Sequence, residues 1–595
     1  MFSQLPLFID LLTSSWVVIV FVVLFGVLPS IAFPQISLQS TTSRLVGAFV
    51  RTMLTIAIGS IIWTKLGLFT WLTAVLVYLT GLGIGWMSTH QWRFKGKFRE
   101  LGQQIAIATV DIFDRGVSMS QLVGWLLLPW KSLDRSIGAR FDLYRWSIPL
   151  TILTAIAGVL TIVGTIWLRF EHPLTEFRFS HPDTYSQLSI AQQILARNSP
   201  LVSYLPIFPS LAAFLAALSG IHPVRVIHLL GAIVGTLLVL SVGYTIGSLT
   251  KNAAAALAAS YSLGVYLFTW NLPISGRLPL ELQQFLATLR DTLNAGLIRS
   301  WAVSELELGA LFVILAIGCS TQIERAQQRT EAIVNTLCCV ILVAIISPSL
   351  LILVLLGGFG TIFGRQMALV TLSTAWLILG VLAAIPGGDF PLLQGVLKTL
   401  PIGLSLFVGL LLMTIAAAGK LLLSTWSAPI WLTIFIATTL NFCLPSLPQI
   451  DYLEYDAAAR KTVEIAHLFP HHRWTIVAPI EQLSQAYGRG WYEDAALFSD
   501  KYQDRVSNPR FHFPHKTSLL VLVEKRPFTT DKLEYPVPYT VLIDHTYRHY
   551  RSPSGRTQLM TRMLELCEVY CRHHPDSRIY YENDRLRIYQ FSAQK

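Results

Sequence analysis

Residues 223–248 read PVRVIHLLGAIVGTLLVLSVGYTIGS, and Arg225 is the one charged residue among them. A helix crosses a bilayer with about 20 mostly apolar residues, so this run is long enough to span. Runs of the same kind recur on both sides of it. They lie at about 12–33, 47–65, 68–88, 146–168, 223–248, 253–271, 305–320, 331–346, 348–364, 367–386, 400–418 and 427–446. This pattern predicts a polytopic α-helical membrane protein of about twelve spans. The stretch from Glu331 to Phe363 is one long apolar run broken only at Ser347-Pro348-Ser349. It reads either as two short spans or as one long kinked helix. Composition agrees with a membrane protein: of 595 residues, 53% are hydrophobic and 13% charged, with a mean hydropathy of +0.54. Soluble domains run at about 25% charged, so an ordinary soluble enzyme, a disordered chain and a disulfide scaffold are excluded.

Charge divides the chain in two. From Pro448 to Lys595 there are 20 Lys and Arg and 18 Asp and Glu, which is the density of a water-soluble domain. The residues before it carry most of the +11 net charge on a sparsely charged background. Loop cations explain that excess better than nucleic-acid binding does. The segment from Ser88 to Arg145 holds Arg93, Lys95, Lys97, Arg99, Arg115, Lys131, Arg135, Arg140 and Arg145, and the positive-inside rule makes it cytoplasmic. Lys251, Arg325 with Arg329, Arg365 and Lys420 fall on the same side if spans alternate. The N-terminus, the loops 169–222 and 272–304 and the soluble tail then lie outside. The first apolar run has no basic residue before it and is long enough to span, so it reads as a retained helix rather than a cleaved leader.

Four regions follow: a three-span N-terminal extension over 1–90, a basic cytoplasmic segment over 91–145, a transmembrane core over 146–447, and an extracytoplasmic α/β domain over 448–595. In the second region, Val110 to Leu133 reads as an interfacial helix. In the tail, Trp474 to Pro479, Ser518 to Val523 and Thr540 to Asp544 read as strands. Arg578 to Tyr581 and Leu586 to Phe591 read as a hairpin turning at Glu582 to Arg585. Ile480 to Tyr487, Tyr492 to Tyr502 and Ser554 to His573 read as helices. Cys567, Cys571, His573 and His574 have no standard zinc spacing, and the plainer reading is a helix end carrying cations near its carbonyls. The expected metal set is therefore none.

The most informative loop follows the fourth span. It runs Glu171-His172-Pro173, then Glu176 to Gln187 (EFRFSHPDTYSQ), then a helix from Leu188 to Arg197 and a proline-broken apolar stretch from Ser199 to Ser219. By parity that stretch is not a full span and reads as juxtamembrane helices. Asp183 follows a proline and precedes a helix, which suits a helix cap or first-turn residue.

The arrangement resembles the GT-C superfold of polyprenyl-phosphate-sugar-dependent membrane glycosyltransferases. A span is followed by an outside loop with His181-Pro182-Asp183, similar to the HPDE-type motif of that superfamily's mannosyltransferases. Proline-rich apolar residues from Tyr204 to Ala217 come next, then a span opening near Val224-Arg225-Val226, a basic turn at Lys251 and the alanine-rich Ala253 to Ala259. The break at Ile346 to Ser349 and the final hairpin are also similar. The match covers about Arg145 to Lys595. It implies that Asp183 is a general base on an acceptor hydroxyl, which attacks the anomeric carbon with inversion while the lipid phosphate leaves. Glu171 and Glu176 are the alternative acids. Arg178, His181, Tyr185 and Arg277 are the expected substrate-binding residues, the cations stabilising the departing phosphate. One position departs from the motif: Thr184 stands where the family's second acid follows the Asp.

The resemblance implies an enzyme in the plasma membrane of a bacterium, taking sugar from a polyprenyl-phosphate donor to a glycan, lipid or protein acceptor. Membrane lipid is the other expected partner; nucleic acid is not one. No cofactor is expected, with a divalent metal left open. The alternative is a non-catalytic scaffold or binding protein of the same fold in envelope glycan assembly, which the lost second acid favours. A transporter fits worst, because no matching halves are visible and the span interiors are nearly free of charge.

Overall fold

The computed structural model describes residues 5–32, 41–89, 148–180, 183–197, 205–268, 279–302, 305–323, 329–385, 391–423, 427–442, 452, 454–479, 481–527 and 553–592. The basic segment 91–145 with its expected interfacial helix, and the expected strand Thr540 to Asp544, lie outside these residues.

The bundle comprises α1 (Leu5–Val22, prolonged through a π turn at Val23–Val27 into Leu28–Ala32), α2 (Thr41–Lys65), α3 (Trp71–Thr89), α4 (Ile148–Thr175), α5 (Asp183–Leu195), α6 (Ile207–Ser219), α7 (Pro223–Thr250) and α8 (Ala253–Gly264). It continues through α9 (Leu280–Trp301), α10 (Glu305–Ser320), α11 (Arg329–Ile346), α12 (Leu351–Ile362), α13 (Arg365–Ala383), α14 (Pro391–Lys398), α15 (Leu400–Leu423) and α16 (Ser427–Phe442). Local chemistry sets several ends. His222 caps α7 by accepting from the Val224 N–H at 3.3 Å, with Pro223 in the first turn. Lys251 closes α7 in the left-handed region at φ 53°, and the Asn252 side chain then accepts from the Ala254 and Ala255 N–H groups to open α8.

Among the described residues, seven helices are long and apolar enough to cross a membrane: Asp10–Ala32, Thr42–Lys65, Ile152–Thr175, Pro223–Thr250, Arg329–Ile346, Arg365–Ala383 and Leu400–Gly419. Leu280–Trp301 and Glu305–Ser320 pass the same test together but meet at 96°, which makes eight at most. The expected count of about twelve therefore does not stand. Of the other expected spans, Ala253–Gly264 and Leu351–Ile362 are helices of 12 residues and Ser427–Phe442 is one of 16, whereas Trp71–Thr89 reaches 19. A 12-residue helix reaches only about 18 Å against a hydrocarbon core of about 30 Å. Bundle side chains such as Trp16, Ile19, Val159, Val163, Trp167 and Leu355 are exposed, as lipid-facing residues are.

The break at Ser347 turns the chain back on itself. The Ser347 hydroxyl donates to the Glu305 carbonyl at 3.1 Å, while a Cβ at Gly357 would lie 2.8 Å from Ile317 Cδ1. Glu305 and Ile317 sit at opposite ends of α10, so α11 and α12 form a hairpin along it rather than one kinked helix.

The helices of the three-span N-terminal extension share one apolar core with the rest of the bundle, and α1, α2 and α3 all pack on α6. Ile207 to Ala216 are buried throughout, so α6 is enclosed rather than laid along an interface.

The soluble domain contains α17 (Asp456–Leu468), β1 (Trp474–Ala478), α18 (Glu481–Ala486), β2 (Trp491–Asp494), α19 (Ala495–Tyr502), β3 (Ser518–Glu524), α20 (Pro553–His573), β4 (Arg578–Glu582) and β5 (Leu586–Phe591). The sheet order is β2-β1-β3-β5-β4, with β1 parallel to β2 and β3, and β5 antiparallel to β3 and β4. One face packs Ile476, Leu520 and Ile588 against Ala458 and Ile465 of α17. The other packs Val477, Val521 and Tyr589 against Phe498 and Met563 of α19 and α20. The helix expected from Tyr492 begins only at Ala495. Trp491–Asp494 is an edge strand, and the Asp494 carboxylate caps the helix by accepting from Ala496 N–H at 2.8 Å.

The domain docks on the end of the bundle where α1 and α7 begin and α4 ends. Arg460 of α17 pairs with Asp10 of α1 at 2.6 Å, and Arg225 of α7 donates to the Pro173 carbonyl of α4 at 2.6 Å. At the opposite end, Gln322 donates to Tyr244 Oη at 2.7 Å and to Ser43 Oγ at 2.9 Å. Asp10 of α1, Pro173 and Thr175 of α4, Arg225 of α7 and Arg460 of the soluble domain thus meet at one end of the bundle.

Candidate functional site

The loop after α4 forms the floor of the docking end. The Phe177 ring lies between two guanidiniums, Arg225 at 4.4 Å and Arg460 at 4.6 Å from its centroid. The Phe177 N–H donates to Asp456, and its carbonyl lies 2.7 Å from His228 Nε2. Arg460 donates to Asp456 Oδ2 at 2.5 Å and to the Thr175 carbonyl at 3.0 Å. Arg178 pairs with Glu176 at 2.9 Å and stacks 3.4 Å over the Tyr452 ring. Behind this layer His172 stacks among Trp301, Tyr452 and His228, at centroid distances of 5.2, 5.8 and 6.1 Å.

Helix α5 carries the second layer. Its first residue is Asp183, five residues before the expected start at Leu188, and the Asp183 side chain is exposed in the first turn. A carboxylate there is stabilised by the positive end of the helix dipole. Two residues on, the chain passes under the soluble domain. Tyr185 is 5% exposed and donates to Glu454 Oε1 at 2.6 Å. Gln482 and Gln485 of α18 donate to the same carboxyl at 2.5 and 2.8 Å. Gln192 of α5 donates to the Ser484 carbonyl at 2.9 Å. Burial outweighs these donors and pushes the Glu454 carboxyl up to about 8, with Glu481 and Asp456 adding to the rise.

The carboxyl ends of β1 and β3 face this layer. Glu481 opens α18 directly after β1, and Glu524 ends β3. Arg556 of α20 lies between them, 1% exposed, bidentate on Glu524 at 2.7 and 2.9 Å and 3.2 Å from Glu481. Crevices at strand carboxyl ends are where open α/β sheets present ligands; the bundle itself meets the α17–α18 face of the sheet, through Arg460 and His467 of α17 and Ser484 of α18.

The expected site residues thus separate. Asp183 is exposed. Glu171 is half-buried in the last turn of α4. Glu176 and Arg178 are joined to each other and to the Tyr452 segment, so their charges serve the docking contact. Tyr185 is a buried strut between α5 and Glu454 rather than a surface on which a substrate rests. His181 and Arg277 lie outside the described residues. The functional groups that sequence reasoning missed are Glu454, Asp456 and Arg460, together with Asp10 and Arg225. The signal for the first three was present in DYLEYDAAAR at 451–460, an acidic and aromatic run opening an amphipathic helix. Charge also enters the bundle: Arg169 is 2% exposed and donates to Ser300 and to the Leu263 carbonyl, inside helices read as nearly free of charge.

Among the described residues no group of three or more His, Cys, Asp or Glu is placed to hold a metal ion. Cys567 is buried in the domain core, and His574 stacks on Tyr570 at 4.1 Å. No protein-family model matches the chain, and no curated protein matches it. Fold and site together define a helical membrane protein of several spans, with an α/β domain docked on one end of its bundle.

Proposed function

We propose that the chain is a membrane glycosyltransferase that takes a sugar from a polyprenyl-phosphate donor at the outer face of a bacterial plasma membrane. Asp183 is its general base. The observation that carries this reading is the exposure of Asp183 on a helix whose body is pinned between bundle and soluble domain. A base needs a carboxylate that substrate can reach and a backbone that holds it still. The alternative acids differ in exposure: Glu176 and Glu171 are half-buried, Glu176 beside Arg178 and Glu171 near the end of a spanning helix. The outward orientation rests on the basic segment 91–145. The family assignment rests on the sequence resemblance around His181-Pro182-Asp183.

A second reading has its own support. Thr184, at the position of the family's second acid, is 1% exposed, so a carboxylate there would be buried without solvent. The loop's remaining charges hold the domain down. A non-catalytic scaffold in envelope glycan assembly needs no more than that.

The test is complementation. The gene is deleted and restored as wild type or as Asp183→Asn at matched membrane levels, and surface glycans are compared by mass spectrometry. The enzyme reading expects a sugar that vanishes on deletion and returns only with the wild type. Equal restoration by Asp183→Asn would leave the scaffold reading.

A further inference from the structure

One corner of the soluble domain turns apolar and cationic groups outward together. Leu468 at the end of α17 is 67% exposed and Trp491 at the start of β2 is 58% exposed. Among the described residues these are the two most exposed large apolar side chains of the domain. His471, His472 and Arg473 follow Leu468 closely in the chain and Arg489 precedes Trp491, with the His472 ring 5.8 Å from the Trp491 ring. The corner is built rather than loose. His472 sits in the left-handed region at φ 58°, its N–H donates to the Arg489 carbonyl at 2.8 Å, and its carbonyl accepts from Trp491 Nε1 at 3.2 Å. The Arg489 guanidinium and the His471 ring meet at 2.9 Å. Among the described residues neither Arg473 nor Arg489 forms an ion pair with an acid.

The corner adjoins the bundle. His467, just before Leu468, packs edge-on against His222 at 5.1 Å, and His222 is the residue that opens the spanning helix α7. A Cβ at Gly488, just before Arg489, would lie 3.5 Å from Ala196 Cβ at the end of α5, and one at Gly67 would lie 3.4 Å from the next residue's carbonyl, Arg197. Gly67 is in the turn between α2 and α3, where Leu66, Leu68 and Trp71 are 60%, 54% and 65% exposed, as at a bilayer rim. Continuity with that rim selects the occupant.

We propose that this corner is a membrane-surface anchor, with Arg473 and Arg489 on anionic lipid headgroups and Trp491 and Leu468 in the interfacial layer. Tryptophan is enriched at that depth, and surface cations are drawn to anionic lipid. The anchor ties the domain to the bilayer beside its protein contacts and fixes the height of the sheet above the lipid. It is independent of any sugar chemistry.

The experiment uses the purified full-length chain in vesicles of phosphatidylcholine and phosphatidylglycerol, one of the two carrying a photoreactive group near its glycerol. After illumination, labelled peptides are mapped by mass spectrometry. Trp167 of α4, exposed on the bundle surface, reports correct insertion. The anchor expects label at 468–473 and 489–491, several-fold more from the phosphatidylglycerol probe than from the phosphatidylcholine probe. Arg473→Gln, at an exposed side chain outside the packed core, and Trp491→Ser are each expected to lower corner label several-fold while Trp167 label persists. A wild-type protein labelled at Trp167 and bare at the corner overturns the proposal. Equal corner label from the two probes overturns the headgroup selectivity.

Discussion

At the scale of single residues, Glu454 decides the most. It gathers Tyr185, Gln482 and Gln485 around one carboxyl and so joins α5 to α18. Its carboxyl sits at about 8 against an ordinary 4.5, because burial penalises the charged form. Between those values the folded protein keeps a proton that the unfolded chain has released, so stability falls as pH rises through that window. This contribution is fully present below the ordinary value and gone above the raised one. Wild type is therefore expected to lose thermal stability between about pH 6 and about pH 9 more steeply than Glu454→Gln, which stays neutral throughout. The measurement is Tm in detergent at both pH values, and identical slopes for the two proteins would refute the assignment. Nothing in the sequence singles out Glu454 from Asp451 or Asp456 nearby. Its role depends on a tyrosine 269 residues away.

At the scale of elements, the bundle is set by close approaches between helices. A Cβ at Gly231 of α7 would lie 2.6 Å from the Ala302 carbonyl oxygen, and that atom is backbone, which has no rotamer to yield. Small residues let helices pack this closely where lipid supplies no hydrophobic drive. Gly231→Ala is expected to push α7 from the α9–α10 bend and to cost about 1–3 kcal/mol, the usual range for an overpacked core. Reduced yield of folded protein and a lower Tm would show it; an unchanged Tm would mean that the bend gives way freely. The apolar runs that form these helices were legible, since each is a local composition signal. Their lengths were less so. A continuous run does not say where a helix stops, and so α8, α12 and α16 were read as full spans. Likewise β2 is four residues long and partly exposed, too short for a two-residue period to register against the helix that follows.

At the scale of the whole molecule, the first helix and the last domain are one structure. Asp10 pairs with Arg460 at 2.6 Å and lies 3.7 Å from Arg225, which is buried. Asp10→Ala leaves both cations short of a partner and is expected to cost about 1–3 kcal/mol. Hydrogen exchange should then rise in the first turns of α17 and in the loop at 176–180, while α20 on the far side of the sheet stays protected. Uniform exchange across the domain would mean that the pair does not hold it to the bundle. The three helices of the N-terminal extension are packed into this structure: they enclose α6, and α1 supplies the acid that the soluble domain grips.

The sequence by itself determined the class of protein, the division between bundle and soluble tail, and most of the tail's strands and helices. Each of these follows from composition or periodicity within a few turns of chain. Its basic segments also lead to the expectation that the N-terminus, the two long loops and the tail share one side, whatever the packing. Only the tertiary structure decided that α11 and α12 double back along α10, and that Tyr185 and Glu176 brace the domain while Asp183 stays exposed. It also decided that the sheet meets the bundle through its α17–α18 face, with α20 on the far side. Those facts are pairings between groups hundreds of residues apart. A charge or hydroxyl carries no local mark of its partner; burial and distance assign it one.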